Sequence, residues 1–188
     1  MLGVDGGPDS RVGVVGCGYW GRNLVRNFAA LGVLGGVSDP RPAARAELEA
    51  FAPGVPCHPD MSVLLDDPSV VAVVVATPAA THVEICTRAL RAGKDVFCEK
   101  PLALTYDEGR RVAALAKEEG RILMVGHVLE YHPAIRRVLD LVAEGELGTL
   151  RYVYSRRLNL GRIRREENIL SARVQAPRVA TILREAAA

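Results

Sequence analysis

The residues Gly16-Cys17-Gly18-Tyr19-Trp20-Gly21 have the Gly-x-Gly-x-x-Gly spacing that chemistry on a dinucleotide requires. Such a turn between a strand and a helix puts backbone amides at the positive end of the helix dipole, where a pyrophosphate is held without a side-chain cation. Gly16 permits the tight turn, Gly18 lets the phosphate approach, and Gly21 lets helix and strand pack closely. The spacing alone is also that of an ordinary tight turn. Here the β-branched run Val12 to Val15 precedes it and a helical period follows it, which is the context the motif needs. Asp39, about twenty residues further on, is placed to accept hydrogen bonds from both adenosine-ribose hydroxyls, which favours NAD. Arg41 admits NADP, because it can pair with a 2′-phosphate if Asp39 turns away. Ser38-Asp39-Pro40 is also a common turn signal.

Two further segments belong to the same crevice, since ligands of an open parallel sheet bind outside the carboxyl ends of its strands. Thr77-Pro78 and Glu99-Lys100-Pro101 each follow a predicted strand directly. Pro101 biases Lys100 away from helical geometry, so its ammonium can be directed into the crevice. There it can serve in proton transfer with a hydroxyl substrate, although a surface or phosphate-pairing lysine fits the same residues equally well. His82, early in a helix, is more simply a packing or hydrogen-bonding residue than an acid or base. His127 follows a strand end, and His132 starts a helix in Tyr131-His132-Pro133. No histidine or cysteine pair has ligand spacing, so no metal is expected.

The elements that position these residues alternate from Arg11 onward between short β-branched runs and longer stretches of helical period, the order that builds a parallel sheet covered on both faces. Strands are expected at Val12 to Val15, up to Val37, at Val70 to Ala76, Asp95 to Cys98 and Ile122 to Val125. Gly21 to Leu31 is a helix with Leu24, Val25, Phe28 and Leu31 on one face. Further helices are expected at Ala43 to Phe51 and at Met61 to Leu65, the latter capped by Asp60. Thr81 with Glu84 and Thr105 with Glu108 have capping-box spacing and mark two more helix starts. Ala134 to Glu144 reads as an amphipathic helix and Leu147 to Leu160 as a long strand, so a second domain starts beyond Gly126. The fold class is α/β: a doubly wound Rossmann domain over 11–126, then an incomplete α/β substrate domain over 127–170. Residues 1–10 form a disordered leader and 171–188 an atypical tail.

Composition narrows the function classes. Of 188 residues, 49% are apolar, enough for one good core, and the formal charge of +2 is no sign of a polyanion partner. The Arg-rich stretch from Arg156 to Arg178 lacks interleaved aromatic platforms, so nucleic acid is not an expected partner. No apolar run approaches the ~20 residues of a membrane helix, and the first ten residues are not a signal peptide. Cys17, Cys57, Cys86 and Cys98 read as reduced thiols of a cytoplasmic protein.

Taken in order, Gly-Cys-Gly-Tyr-Trp-Gly, Ala76-Thr77-Pro78 with His82, and Ala92-Gly93-Lys94-Asp95-Val96-Phe97-Cys98-Glu99-Lys100-Pro101-Leu102-Ala103 resemble the Gfo/Idh/MocA family of oxidoreductases. The resemblance runs from about Arg11 to Leu170. It implies a C-terminal α/β domain with a large, mainly antiparallel sheet, and NAD(P)-dependent oxidation or reduction at a sugar or cyclitol carbon. It makes Lys100 the catalytic lysine, positioned by Glu99 and Pro101. Gly16, Cys17, Gly18, Tyr19, Trp20, Gly21, Asp39, Thr77, Pro78, His82 and Glu99, with Lys100, then line the cofactor cleft. Arg157-Leu158-Asn159-Leu160-Gly161-Arg162 with Asn168-Ile169-Leu170 is most similar to members acting on nucleotide-linked amino sugars or uronic acids.

The chain departs from the family after Leu170. Family members of this type continue into a Pro-His-Asp element whose histidine helps catalysis, followed by much more sheet. Here Ser171-Ala172-Arg173-Val174-Gln175 opens an unrelated stretch, and no histidine follows His132. A shifted and truncated reading frame near codon 170 is the corresponding expectation. Two functions stay open: an oxidoreductase on a sugar or nucleotide-sugar, and a catalytically inactive dinucleotide-binding module. A homo-oligomer is expected only with a complete second-domain sheet, since an incomplete one leaves an exposed edge.

Overall fold

The computed structural model describes residues 10–154. It contains six strands, β1 (Arg11–Val15), β2 (Leu34–Ser38), β3 (Cys57–His58), β4 (Val70–Val75), β5 (Asp95–Cys98) and β6 (Leu123–Val125). Between and after them lie α1 (Gly21–Ala30), α2 (Pro42–Phe51), α3 (Ser62–Asp66), α4 (His82–Arg91), α5 (Tyr106–Glu118) and α6 (Pro133–Ala143). All pairings are parallel, in the order β3-β2-β1-β4-β5-β6. This is the doubly wound α/β fold expected from the sequence.

Strand period two distributes the apolar side chains between two cores. On one face Val14, Val37 and Val74 pack with Val25 of α1 and Leu48 of α2. On the other, Val15, Val73, Val75, Val96 and Cys98 pack with Leu64 of α3, Leu90 of α4 and Val112 of α5. Central strands buried on both faces must read as continuous apolar runs, which is why Val70–Val75 is Val-Val-Ala-Val-Val-Val. Leu48 and Leu90 are fully buried, each contributing about 1.5–3 kcal/mol through removal from water.

The register brings the strands to one level. Ser38, Val15, Val75, Cys98 and Val125 form a row of paired residues across β2, β1, β4, β5 and β6. One residue later the ladder still closes, with Gly16 donating to the Ser38 carbonyl at 2.7 Å, Ala76 to Val15 at 2.8 Å, Glu99 to Val75 at 2.9 Å and Gly126 to Cys98 at 2.8 Å. The rim of the sheet is therefore, in spatial order, Asp39, Gly16, Ala76, Glu99 and Gly126. The chain changes direction across the sheet between β1 and β4, so the crevice of such folds opens above Gly16 and Ala76.

Several local expectations are corrected. Leu31 is the C-terminal cap of α1 and is 69% exposed, so the apolar face of that helix ends at Phe28. Thr81 caps nothing: its hydroxyl lies 2.8 Å from both the Thr77 hydroxyl and the Pro78 carbonyl, and a 3-10 turn over Ala79–Thr81 leads into α4. The box at Thr105 and Glu108 is complete; Asp60 accepts from the Ser62 amide at 2.8 Å, but Met61 holds the cap position of α3 and no side chain caps it. No strand begins at Leu147, because turns at 144–147 give way to irregular backbone up to Tyr154. The remainder of that segment, Arg157 to Leu170, the tail over 171–188 and the leader over 1–9 lie outside the described residues.

By compactness the chain divides after Glu144. Residues 10–144 belong to one unit, including α6, whose Ile135, Val138 and Leu139 are exposed.

Candidate functional site

Two glycines of the turn are required by close approach. Gly16 has φ +93°, and a Cβ there would lie 2.8 Å from the Ala76 carbonyl oxygen. A Cβ on Gly21 would lie 2.0 Å from the Gly16 carbonyl oxygen, deep inside any permitted contact. Gly18 is different: the nearest atom is Nη2 of Arg41 at 3.6 Å, so its small size opens the crevice rather than closing the fold. The Gly18 and Tyr19 amides donate to no other described residue and sit at the N-terminus of α1. Free amides, a positive helix end and a glycine whose nearest neighbour is a guanidinium fit a pyrophosphate.

At the β2 end of the rim, Asp39 is 2% exposed and densely bonded. Oδ2 accepts from the Cys17 amide at 3.1 Å and from Nη2 of Arg41 at 2.8 Å. Oδ1 accepts from the amide and from Nε of Arg41, each at 3.0 Å. Burial pushes the carboxyl pKa up, but the hydrogen bonds from the Arg41 side chain and amide and from the Cys17 amide outweigh it and hold the group at about 2. Arg45 donates to the Asp39 and Pro40 carbonyls at 2.9 Å each. Burial, reinforced by the Asp39 charge, pushes the Cys17 thiol up to about 12, which leaves it a protonated packing group.

At the other end, Glu99 is 7% exposed. The Trp20 indole N–H donates to Oε1 of Glu99, and the Lys100 amide donates to Oε2 at 3.3 Å. Trp20, the second aromatic residue of the glycine turn, thus reaches past the β4 end to the end of β5. Lys100 is exposed beside the crevice, and the Lys100-Pro101 peptide is cis. His82 is 1% exposed, with Nδ1 2.8 Å from the Pro101 carbonyl oxygen and Nε2 2.8 Å from that of Thr77. It ties the loop after β4 to the loop after β5.

The rim therefore brings together the glycine turn, Thr77-Pro78, Glu99-Lys100 and His82, with Asp39 at its far side. His127 and His132 lie elsewhere: His127 sits 3.7 Å from Glu130 on an exposed turn, and His132 caps α6 by accepting from the Ala134 amide at 3.2 Å. Three features had no reading from sequence. They are the Arg41 grip on Asp39, the Trp20–Glu99 bond, and Lys94, which is 8% exposed with Nζ donating to the Asp67 carbonyl at 2.8 Å. The i to i+2 spacing of Asp39 and Arg41 was a usable signal for the first. No group of three or more His, Cys, Asp or Glu that could hold a metal occurs among the described residues.

A parallel sheet with this turn at its switch point defines a dinucleotide-binding domain. The chain belongs to the GFO_IDH_MocA family, an oxidoreductase family with an NAD-binding Rossmann fold, whose model matches residues 10–127. It is 36% identical over 157 residues to inositol 2-dehydrogenase 2 of Saccharopolyspora erythraea, covering 80% of this chain and 45% of that one. Among solved structures, it is similar to the WlbA dehydrogenase from Bordetella pertussis in complex with NADH and UDP-GlcNAcA, at TM-score 0.68 and 28% identity, covering 73% of this chain and 43% of that one. It is also similar to a variant 3-ketoreductase from Actinomadura kijaniata in complex with TDP-benzene and NADP, at TM-score 0.65 and 32% identity, covering 74% and 45%. The chain spans less than half the length of the curated relatives it matches.

Proposed function

We propose that this chain carries the cofactor half of a nicotinamide-dependent oxidoreductase acting on a CH–OH group of a sugar or nucleotide-sugar. The observation that carries the reading is the rim itself: three adjacent strand ends, β1, β4 and β5, present in turn a phosphate-holding glycine turn, Thr77-Pro78 and Glu99-Lys100. The bound nicotinamide would accept or return the hydride. The chain's own residues do the rest. The Gly18 and Tyr19 amides hold the pyrophosphate, and Trp20 fixes the Glu99 carboxylate, whose other oxygen takes the Lys100 amide. Lys100 then receives the proton of the substrate hydroxyl in the oxidative direction and returns it in the reductive one, while the carbon-bound hydrogen leaves as hydride. Cys17, Asp39 and His82 shape the cleft without touching the reacting atoms.

The domain division at Gly126, a cytoplasmic location and self-association through a second-domain sheet belong to the same proposal. The four free thiols support the location, and no helix among the described residues is long and apolar enough to cross a membrane. Light scattering tests the association.

The decisive experiment pairs cofactor titration with turnover. Quenching or shift of the single tryptophan, Trp20, on adding NADH or NADPH reports binding. Hydride transfer to or from UDP-linked amino sugars that disappears in Lys100→Ala, with binding retained, supports the enzyme. Binding without transfer to any sugar or nucleotide-sugar marks a dinucleotide-binding module, the second reading.

A further inference from the structure

The relatives solved with NADH and with NADP leave open which form this crevice takes, and the residues at its adenosine end differ from a free ribose-binding carboxylate. A ribose 2′,3′-diol donates its two hydroxyls to the carboxylate at the end of the second strand. In this chain both oxygens of Asp39 are filled, Oδ1 by the amide and Nε of Arg41, Oδ2 by the Cys17 amide and Nη2 of Arg41. A carboxylate oxygen offers about two lone-pair directions, so a diol enters only by displacing the Arg41 guanidinium from a two-point ion pair.

A phosphate meets the opposite situation. The Arg41 side chain is 63% exposed while Asp39 is 2% exposed, so the pair presents its cationic side outward. The Arg41 Nη2 sits 3.6 Å from where a Cβ on Gly18 would be, which places the cation on the floor of the glycine turn. Its remaining N–H groups are directed away from the carboxylate. One helical turn on, Arg45 adds a second positive charge, and both stand at the start of the ten-residue helix α2, whose dipole also favours an anion.

We infer that the Asp39–Arg41 pair makes this crevice prefer the 2′-phosphorylated dinucleotide, with Arg41 gripping the phosphate while still bonded to Asp39, and NAD admitted only at the cost of that bond. The inference rests on the proposed dinucleotide site. Its probes separate the two: adenosine 2′,5′-bisphosphate and 5′-AMP carry the adenosine end alone and are titrated against Trp20 fluorescence or by calorimetry, with no turnover needed. The bisphosphate is expected to bind about tenfold or more tightly than 5′-AMP, a gap that narrows as salt rises. Arg41→Ala is expected to erase the gap, and Arg41→Lys, which keeps the charge but not the two-point grip, to retain part of it. Matching thermal unfolding of Arg41→Lys and the parent shows that the fold is intact. Equal binding of the two nucleotides, or a gap that survives Arg41→Ala, overturns the inference and leaves the dinucleotide site standing. Binding of neither, together with no binding of NADH or NADPH, overturns both.

Discussion

Replacing His82 by alanine tests whether the rim is held as one piece. The ring is 1% exposed and its two nitrogens each lie 2.8 Å from a carbonyl oxygen, one in the loop after β4 and one in the loop after β5. A neutral imidazole carries one N–H and bonds one of these carbonyls; the charged ring bonds both. Alanine therefore strips one or two partly buried carbonyls of their donor, at about 1 kcal/mol each, and leaves a cavity of ring size besides. The expected loss is about 3 kcal/mol of unfolding free energy, measured by urea denaturation with the slope unchanged. Cofactor affinity should fall further than stability alone explains, because Thr77-Pro78 and Lys100-Pro101 are no longer tied. His82→Gln, which can span one of the contacts, should recover part of both. A loss below about 0.5 kcal/mol, the range of ordinary surface substitutions, with unaltered cofactor binding, would refute the staple.

Other outcomes follow from the same geometry. Folding lowers the Asp39 pKa to about 2, so its stabilisation is complete above the ordinary carboxylate range and is lost as pH falls from about 5 towards 2. With the Arg41 side 63% exposed and screened, this amounts to about 1–2 kcal/mol. In an acid titration of stability, Asp39→Asn should flatten that segment of the curve. Trp20→Phe leaves Oε1 of the buried Glu99 without its donor and should cost about 1–3 kcal/mol, and Glu99→Gln should shift the Trp20 emission. Thr105→Ala opens a complete capping box and should cost about 1 kcal/mol in thermal unfolding, whereas Thr81→Ala removes no helix cap and should cost less.

What the sequence made legible was whatever is decided by neighbours along the chain. The Val70–Val75 run and the strand Asp95–Cys98 were readable because a strand buried on both faces has few alternatives. The Thr105 box was readable because nothing nearer competes for its hydroxyl. Thr81 has the same spacing, yet Thr77 and Pro78 sit just upstream after the strand end and take its hydroxyl first. Leu31 had the right period but falls where α1 has already closed. The expected strand from Leu147 rested on β-branched and aromatic content alone, and such propensity needs a partner strand to become structure. In the site, the segments were legible and their cross-links were not. The Trp20–Glu99 bond spans seventy-nine positions, and the His82 bridge joins two loops that only the sheet register brings level.

The glycine turn has a consequence for how mutations in it would be inherited. Within six residues it holds two kinds of irreplaceable position. At Gly16 and Gly21 a methyl group strikes backbone, so a missense change there falls on the fold first and is blind to what the crevice binds. At Gly18 a methyl group meets only the Arg41 guanidinium, at an ordinary contact distance of 3.6 Å, so the change spares the folded protein and falls on the ligand. A lineage that gave up the cofactor could therefore lose its middle glycine and keep the outer two, leaving Gly18 as the position that records whether the crevice is still used.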